Sequence, residues 1–136
     1  MTKKTFDYSA IQKSEAESWL SPDTSIEEKL QRETIRYPMM IKQMGLTALD
    51  TSKMYVMDIG ASCTGGISSA LPCKKRICVD PLKAEYAKIV DVSCFWDTKA
   101  EDLKEKLSEP DLIIVTNALD HFENPALFLE DIVKYV

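Results

Sequence analysis

The spacing of apolar positions changes character near residue 53 of this chain. Upstream it is helical. Residues 11–20 form a candidate helix, ended by Ser21-Pro22-Asp23. Ser25 followed by Glu28 makes a capping box, and the pattern predicts a helix from there to Met44, with Gly45 as its stop. Ile26, Leu30, Ile35, Met39, Met40 and Met44 give that helix an apolar side. Pro38 lies inside it and should kink it or split it in two. Tyr37 and the methionines are expected in the core, with a substrate-facing lid as the other reading.

Downstream the pattern becomes strand, loop, helix, strand. Residues 55–58 are a short apolar strand, and 65–71 should open a short helix ended by Pro72. A second strand covers 76–80, followed by Pro81 and a helical turn through Tyr86. A weak third strand falls within 89–95, and 97–108 reads as a helix with Leu103 and Leu107 turned inward. The run Pro110-Asp-Leu-Ile-Ile-Val-Thr-Asn117 is continuously apolar at its centre, as expected of a strand covered on both faces. A last helix begins with Asn124 as cap and Pro125 in its first turn. Alternating strands and helices imply an α/β fold with a doubly wound parallel sheet and right-handed crossovers.

The candidate chemistry sits between the first two strands. Met54-Tyr-Val-Met-Asp-Ile-Gly-Ala-Ser-Cys-Thr-Gly-Gly66 ends a strand in Asp58 and continues into a loop of small residues. The next strand, Arg76-Ile-Cys-Val79, ends in Asp80. Glycines let a backbone turn tightly beneath a ligand, and an acid about 20 residues on can hold both hydroxyls of a ribose. That describes an adenosyl cofactor site. In a dinucleotide site the pyrophosphate rests on a helix N-terminus, where a nearby carboxylate would repel it. S-adenosylmethionine carries a sulfonium and an ammonium and no phosphate, so Asp58 favours it over NAD.

Composition narrows the partners. The chain has 136 residues, 45% of them apolar and 29% charged, enough for one domain with a real core. Its net charge is −5, and the densest basic stretch, Lys74-Lys-Arg76, runs straight into a strand. A nucleic-acid partner is therefore not expected. Met1-Thr-Lys-Lys-Thr-Phe-Asp7 is not followed by an apolar run, so no signal peptide is expected, and no segment has the length of a membrane span. Cys63, Cys73, Cys78 and Cys94 contain no C-x-x-C pair and meet a single histidine. Free thiols in a reducing cytoplasm are the expectation, with Cys78 in the core and no metal site.

Four motifs in order resemble the class I S-adenosylmethionine-dependent methyltransferases, over residues 50–136. Asp58-Ile-Gly-Ala-Ser-Cys-Thr-Gly-Gly66 is similar to the family's first motif, and Cys78-Val-Asp80-Pro-Leu82 to its second-strand acid. Ala100-Glu-Asp-Leu103 resembles the stretch that reaches the adenine. Asp111-Leu-Ile-Ile-Val-Thr-Asn-Ala-Leu-Asp-His121, with Asn124-Pro125 after it, resembles the fourth strand and loop of small-molecule methyltransferases. The resemblance implies a Rossmann-like sheet, S-adenosyl-L-methionine as cofactor and a small-molecule acceptor. Residues 1–49 would then be a helical lid on the substrate side. Ser62 stands where the family usually has a middle glycine. That form is similar to some ribosomal-RNA methyltransferases, a reading the acidic balance opposes.

The family's sheet has seven strands in the order 3-2-1-4-5-7-6, and this sequence supplies the first four. A partial sheet of order 3-2-1-4 is expected, from a fragment, a half that pairs with another chain, or a degenerate relative; the fragment is preferred. The outer edge of strand four would be open to a missing half or a partner.

For residues, the resemblance implies Asp80 on the ribose and Asp58 near the methionine end. Gly60, Ser62 and Gly65 supply the loop backbone, and Pro81 follows the acid. Glu101 and Asp102 compete for the adenine amino group, with Asp102 preferred, and Asn117 lies near the cofactor through its backbone. Asp80 as a turn or cap aspartate, and Asp58 as a buried residue bonding loop amides, are the plainer readings. His121 is the one histidine. It is a general base for the acceptor, oriented by Asp120, or a loop residue shaping the pocket. Phe95 and Trp96 could stack on a base, although core packing is the stronger expectation. A noncatalytic interaction module and an NAD-binding oxidoreductase domain are the alternative functions.

Overall fold

The computed structural model describes residues 7–100, 103, 110–116 and 118–135. Helix α1 (Tyr8–Leu20) starts where Asp7 accepts a hydrogen bond from the Ala10 amide at 3.1 Å. Helix α2 (Ile26–Thr34) starts at Ser25, whose hydroxyl accepts from the Glu28 amide at 3.2 Å. Glu27 and Glu28 in its first turn and Arg32 in its last both suit the helix dipole.

The helix expected over 25–44 is two helices. Had it continued, the Pro38 ring would have met the carbonyl of Thr34, four residues back. The chain breaks at Ile35–Arg36 and restarts as α3 (Tyr37–Gln43), where Pro38 falls in the first turn and its missing N–H costs nothing. Gly45, at φ +73°, ends the segment.

Four parallel strands follow, in the order β3-β2-β1-β4. Their bounds are Tyr55–Ile59 for β1, Lys75–Val79 for β2, Phe95–Trp96 for β3 and Leu112–Val115 for β4. Asp58 stands opposite Cys78 on one side and Ile114 on the other. The third strand is shorter and later than the 89–95 expectation, and it pairs with β2 only through Cys78–Phe95 and Val79–Trp96. Helix α4 (Lys83–Tyr86) follows β2, and α5 (Pro125–Ile132) starts at Asn124, whose side chain accepts from the Leu127 amide at 3.1 Å.

Alternation along β1 divides the core. Met57 and Ile59 face Phe122, Phe128 and Ile132, the α5 side. Val56 points the other way, packing with Ile114, Ile67 and the α3 residues Tyr37 and Ile41. Helices therefore cover both faces, as a doubly wound sheet requires. A third cluster joins Cys78, Tyr86 and Phe95 to Ala61 and Cys63 of the loop, with Trp19 of α1 against it. Of the 97–108 segment, Leu103 is buried, as expected; Leu107 lies outside the described residues. Among the described residues no helix is long and apolar enough to cross a membrane.

The segment after β1 also departs from expectation. Residues 65–71 hold a single 3-10 turn, Ile67–Ala70, and no α-helix. The Ser68 and Ser69 hydroxyls donate back to the Gly65 and Gly66 carbonyls, at 3.0 and 2.7 Å. That local bonding competes with helix formation, and Pro72 leaves no length for recovery.

Candidate functional site

The loop after β1 is fixed from both sides. Gly60 and Ala61 amides both reach the Val79 carbonyl, at 2.8 and 3.4 Å, so the loop starts pressed against the end of β2. Gly60 has φ +70°, and a Cβ there would lie 2.3 Å from that of Ala118, in the segment after β4. Only glycine allows the two loops to meet so closely. Ser62 is the one described non-glycine residue with positive φ, at 57°. Its amide donates to Asp80 Oδ2 at 3.0 Å, and that bond holds the left-handed conformation a glycine would adopt freely.

Asp58 lies beneath this loop. It is fully buried, its Oδ2 accepts from the Ser68 amide at 2.8 Å, and its Oδ1 has no hydrogen-bond partner among the described residues. Burial pushes its carboxyl up to about 6, against the hydrogen bonds from Ser68. Strand parity explains the placement: Asp58 shares its face with Val56, under the 3-10 turn. Thr64 of the loop is tied to α3 by a hydrogen bond with the Tyr37 hydroxyl.

Asp80 occupies the other side. It follows β2, is 5% exposed, and accepts amide hydrogen bonds from Ser62 on Oδ2 and from Leu82 on Oδ1 at 2.9 Å. It is thus a turn aspartate and a loop clamp together. Burial raises its carboxyl to about 7, and the neighbouring charge of Glu15 adds to the rise. The two amide bonds and His121 act in the opposite direction.

Above the strand ends lies a cavity of about 970 Å³, at the upper end of the about 300–1,000 Å³ usual for ligand sites. Its floor is Ile59, Gly60, Ala61, Ser62, Val79 and Asp80. Its roof is α1 with parts of α2 and α3, and Thr116, Ala118 and His121 close one side. Such a crevice, at the carboxyl ends of parallel strands, is where open α/β sheets bind ligands.

The roof is held by polar contacts. Glu15 of α1 accepts from the Tyr86 hydroxyl at 3.1 Å and stands 3.3 Å from His121 Nδ1, joining residues 106 positions apart. Lys29 of α2 donates to the Ser18, Trp19 and Ser21 carbonyls, at 3.1, 2.9 and 2.6 Å, capping the end of α1. Lys99 sits 4.6 Å above the Tyr8 ring.

Of the residues expected from sequence, Gly60, Ser62, Asp80, Pro81 and His121 line this cavity together. Asp58 and Gly65 lie beneath or behind it, while Gly66 lines it. A Cβ on Gly66 would fall 2.3 Å from Asp58 Oδ2. Glu101, Asp102 and Asn117 lie outside the described residues. Phe95 and Trp96 pack in the core clusters. Of the proposed lid residues, Tyr37 and Met40 line the cavity and Met39 is exposed. Cys63 is buried in the loop with its thiol pushed up to about 12 by desolvation and then by Asp80. Cys78 and Cys94 are free, with sulfurs 3.7 Å apart. Glu15 and Gln12 are wall residues that the sequence did not announce, because α1 buries no residue fully and has no sharp apolar stripe.

This is a Rossmann-like α/β sheet of four parallel strands. Among solved structures, the chain is similar to the plantazolicin methyltransferase BpumL, determined in complex with S-adenosylhomocysteine (SAH). The two superpose with a TM-score of 0.54 at 19% identity, over 92% of this chain and 54% of that one. The chain thus spans about half the length of that neighbour. No protein-family model matches its sequence, and no curated protein does.

Proposed function

We propose that this chain binds S-adenosyl-L-methionine in the cavity and forms the cofactor half of a methyltransferase acting on a small-molecule acceptor. The observation that carries the reading is Asp80. Both of its oxygens are fixed by loop amides, yet the carboxylate still lines the cavity, beside a glycine that no side chain shields. A carboxylate has about four lone-pair sites and two are used, which leaves room for two ribose hydroxyls. The residues present fit the cofactor.

The same geometry disfavours a dinucleotide. The segment between β1 and β2 has a four-residue 3-10 turn in place of the α-helix whose N-terminus would hold a pyrophosphate. The Ser68 amide at that turn is already occupied by Asp58.

In this reading Asp80 holds the ribose, the 60–62 backbone lies along the cofactor, and Asp58 secures the loop from below. Asn117 and either Glu101 or Asp102 complete the site as the resemblance implies. When bound, the cofactor supplies a methyl carbon to which the acceptor's lone pair bonds as the carbon–sulfur bond breaks, its electrons staying on sulfur. His121, on the cavity wall and held by Glu15, is placed to take the proton of an N–H or O–H acceptor. The α1–α3 roof excludes water and faces the acceptor.

Calorimetric titration of the chain with SAH tests this. Micromolar binding lost in Asp80→Ala supports it; binding of NAD in preference to SAH refutes it. A second reading is an interaction module that pairs along β4, which among the described residues is bonded only to β1. A folded chain that ignores SAH but associates persistently would select that reading.

A further inference from the structure

Away from the cavity, two thiols touch. Cys78 and Cys94 are free, and their sulfurs lie 3.7 Å apart. The Cys78 amide donates to the Cys94 carbonyl at 2.9 Å, so the two backbones run side by side, at the strand spacing of about 4.8 Å. A disulfide needs Cα atoms roughly 4.4–6.8 Å apart and sulfurs about 2.05 Å apart. The spacing of the backbones suits the first condition. Side-chain rotation that brings the sulfurs closer by about 1.7 Å meets the second.

The two residues differ in access. Cys78 is fully buried on β2, whereas Cys94, just before β3, is half-buried. Burial, and then the neighbouring Cys94, push the Cys78 thiol up, so it stays protonated and unreactive on its own. An external oxidant therefore engages Cys94 first. Arg76 Nη2 stands 4.0 Å from Cys94 Sγ, a cation that suits an anionic disulfide such as oxidised glutathione. A bond between the two cysteines closes a ring over residues 78–94, which contains Asp80 and Tyr86. Asp80 lines the cavity, and Tyr86 donates to Glu15 on its roof.

We propose that Cys78 and Cys94 form a reversible disulfide, a staple between β2 and the start of β3 that fixes the segment bearing Asp80. Cys94 gives up its proton and bonds to one sulfur of oxidised glutathione, whose S–S bond breaks and whose other half leaves as a thiolate. Cys78 then gives up its proton and bonds to Cys94 Sγ, and the second glutathione leaves as a thiolate. The two thiolates take up the two protons. The cysteine pair is thus oxidised by two electrons, and the reagent is reduced to two thiols. No ligand in the cavity is needed, so the staple is independent of the methyltransferase reading.

The whole chain, incubated with oxidised glutathione and digested with its remaining thiols blocked, should yield a peptide pair joined between 78 and 94 by mass spectrometry. Its Tm should rise by about 5–10 °C, because the bond restricts the unfolded chain, and should fall back with dithiothreitol. Cys94→Ser, changed at the half-buried position, should form no internal disulfide and show no rise. Recovery of Cys78 and Cys94 as free thiols in the wild type overturns the proposal. So does glutathione that stays on Cys94 undisplaced, which would show that the two sulfurs do not close. So does a bond that maps to Cys63 or Cys73 instead. A Tm unchanged or lowered once the 78–94 bond has formed also overturns it, since a strained bond is no staple.

Discussion

A pH series of SAH titrations reads Asp80 directly. Its carboxyl is raised from 3.8 to about 7, chiefly by burial. Ribose hydroxyls are donors and bind the ionised carboxylate, so affinity follows the ionised fraction. That fraction is about one half at pH 7 and about one hundredth at pH 5, so binding should weaken about 50-fold over those two units. The sign is fixed by the same argument. Ligand draws the carboxyl toward its charged form, and binding at pH 6 should release about one proton. Calorimetry in two buffers of different ionisation enthalpy measures both quantities. Asp80→Asn has no titrating group there, and its weaker binding should be flat with pH. An affinity that is constant from pH 5 to 7 in the wild type, or an equal slope in the asparagine variant, would refute the ribose assignment.

Ligand-free stability should also depend on pH. Asp58 and Asp80 keep protons when folded that the unfolded chain has released, because both carboxyls lie above 3.8, at about 6 and about 7. Their contribution is most favourable at the acid end and is lost as pH rises from about 4 to about 7, at up to ~1.4 kcal/mol per unit per group. Urea midpoints at pH 5 and 7 should fall less in Asp58→Asn than in the wild type; an equal fall contradicts the burial argument. Gly66→Ala places a Cβ 2.3 Å from Asp58 Oδ2 at φ +67°, and should cost about 3 kcal/mol in thermal melts. A melt like the wild type's would disprove that contact. Lys29→Met uncaps the end of α1, costing about 1–2 kcal/mol, with faster amide exchange in α1; exchange unchanged there would show that Lys29 does not hold the helix.

The central strands were legible because their chemistry is local. Val56 to Asp58 and Ile77 to Asp80 are apolar runs ending in an acid, and the order 3-2-1-4 is the one that the methyltransferase resemblance implied. Ser25 and Asn124 announced helix starts through side chains that cap three residues on. Pro38 announced a break but not which outcome, since a kink and a split share the same sequence. The 3-10 turn at Ile67–Ala70 was missed because two serine hydroxyls turned back on the loop. Asp58 was read either near the methionine end or as a buried residue bonding loop amides, and strand parity puts it with Val56 and Ile114, bonded to the Ser68 amide beneath the loop. Glu15 was out of reach for a different reason. Its role depends on His121 and Tyr86, brought near by the whole fold, and no spacing within α1 encodes that.

Helix α1 buries none of its residues fully, while Gly66 and Gly60 cannot change without collision. The two walls of one cavity therefore evolve under unequal constraint. Apart from Trp19, which packs on the third core cluster, and Glu15, which holds Tyr86 and His121, substitutions along α1 leave the core intact, so the rest of that wall can drift toward new acceptors residue by residue. The loop below must stay as it is or lose the fold. For an engineer the same asymmetry marks α1 as the segment to randomise, and the glycines as the positions to leave alone.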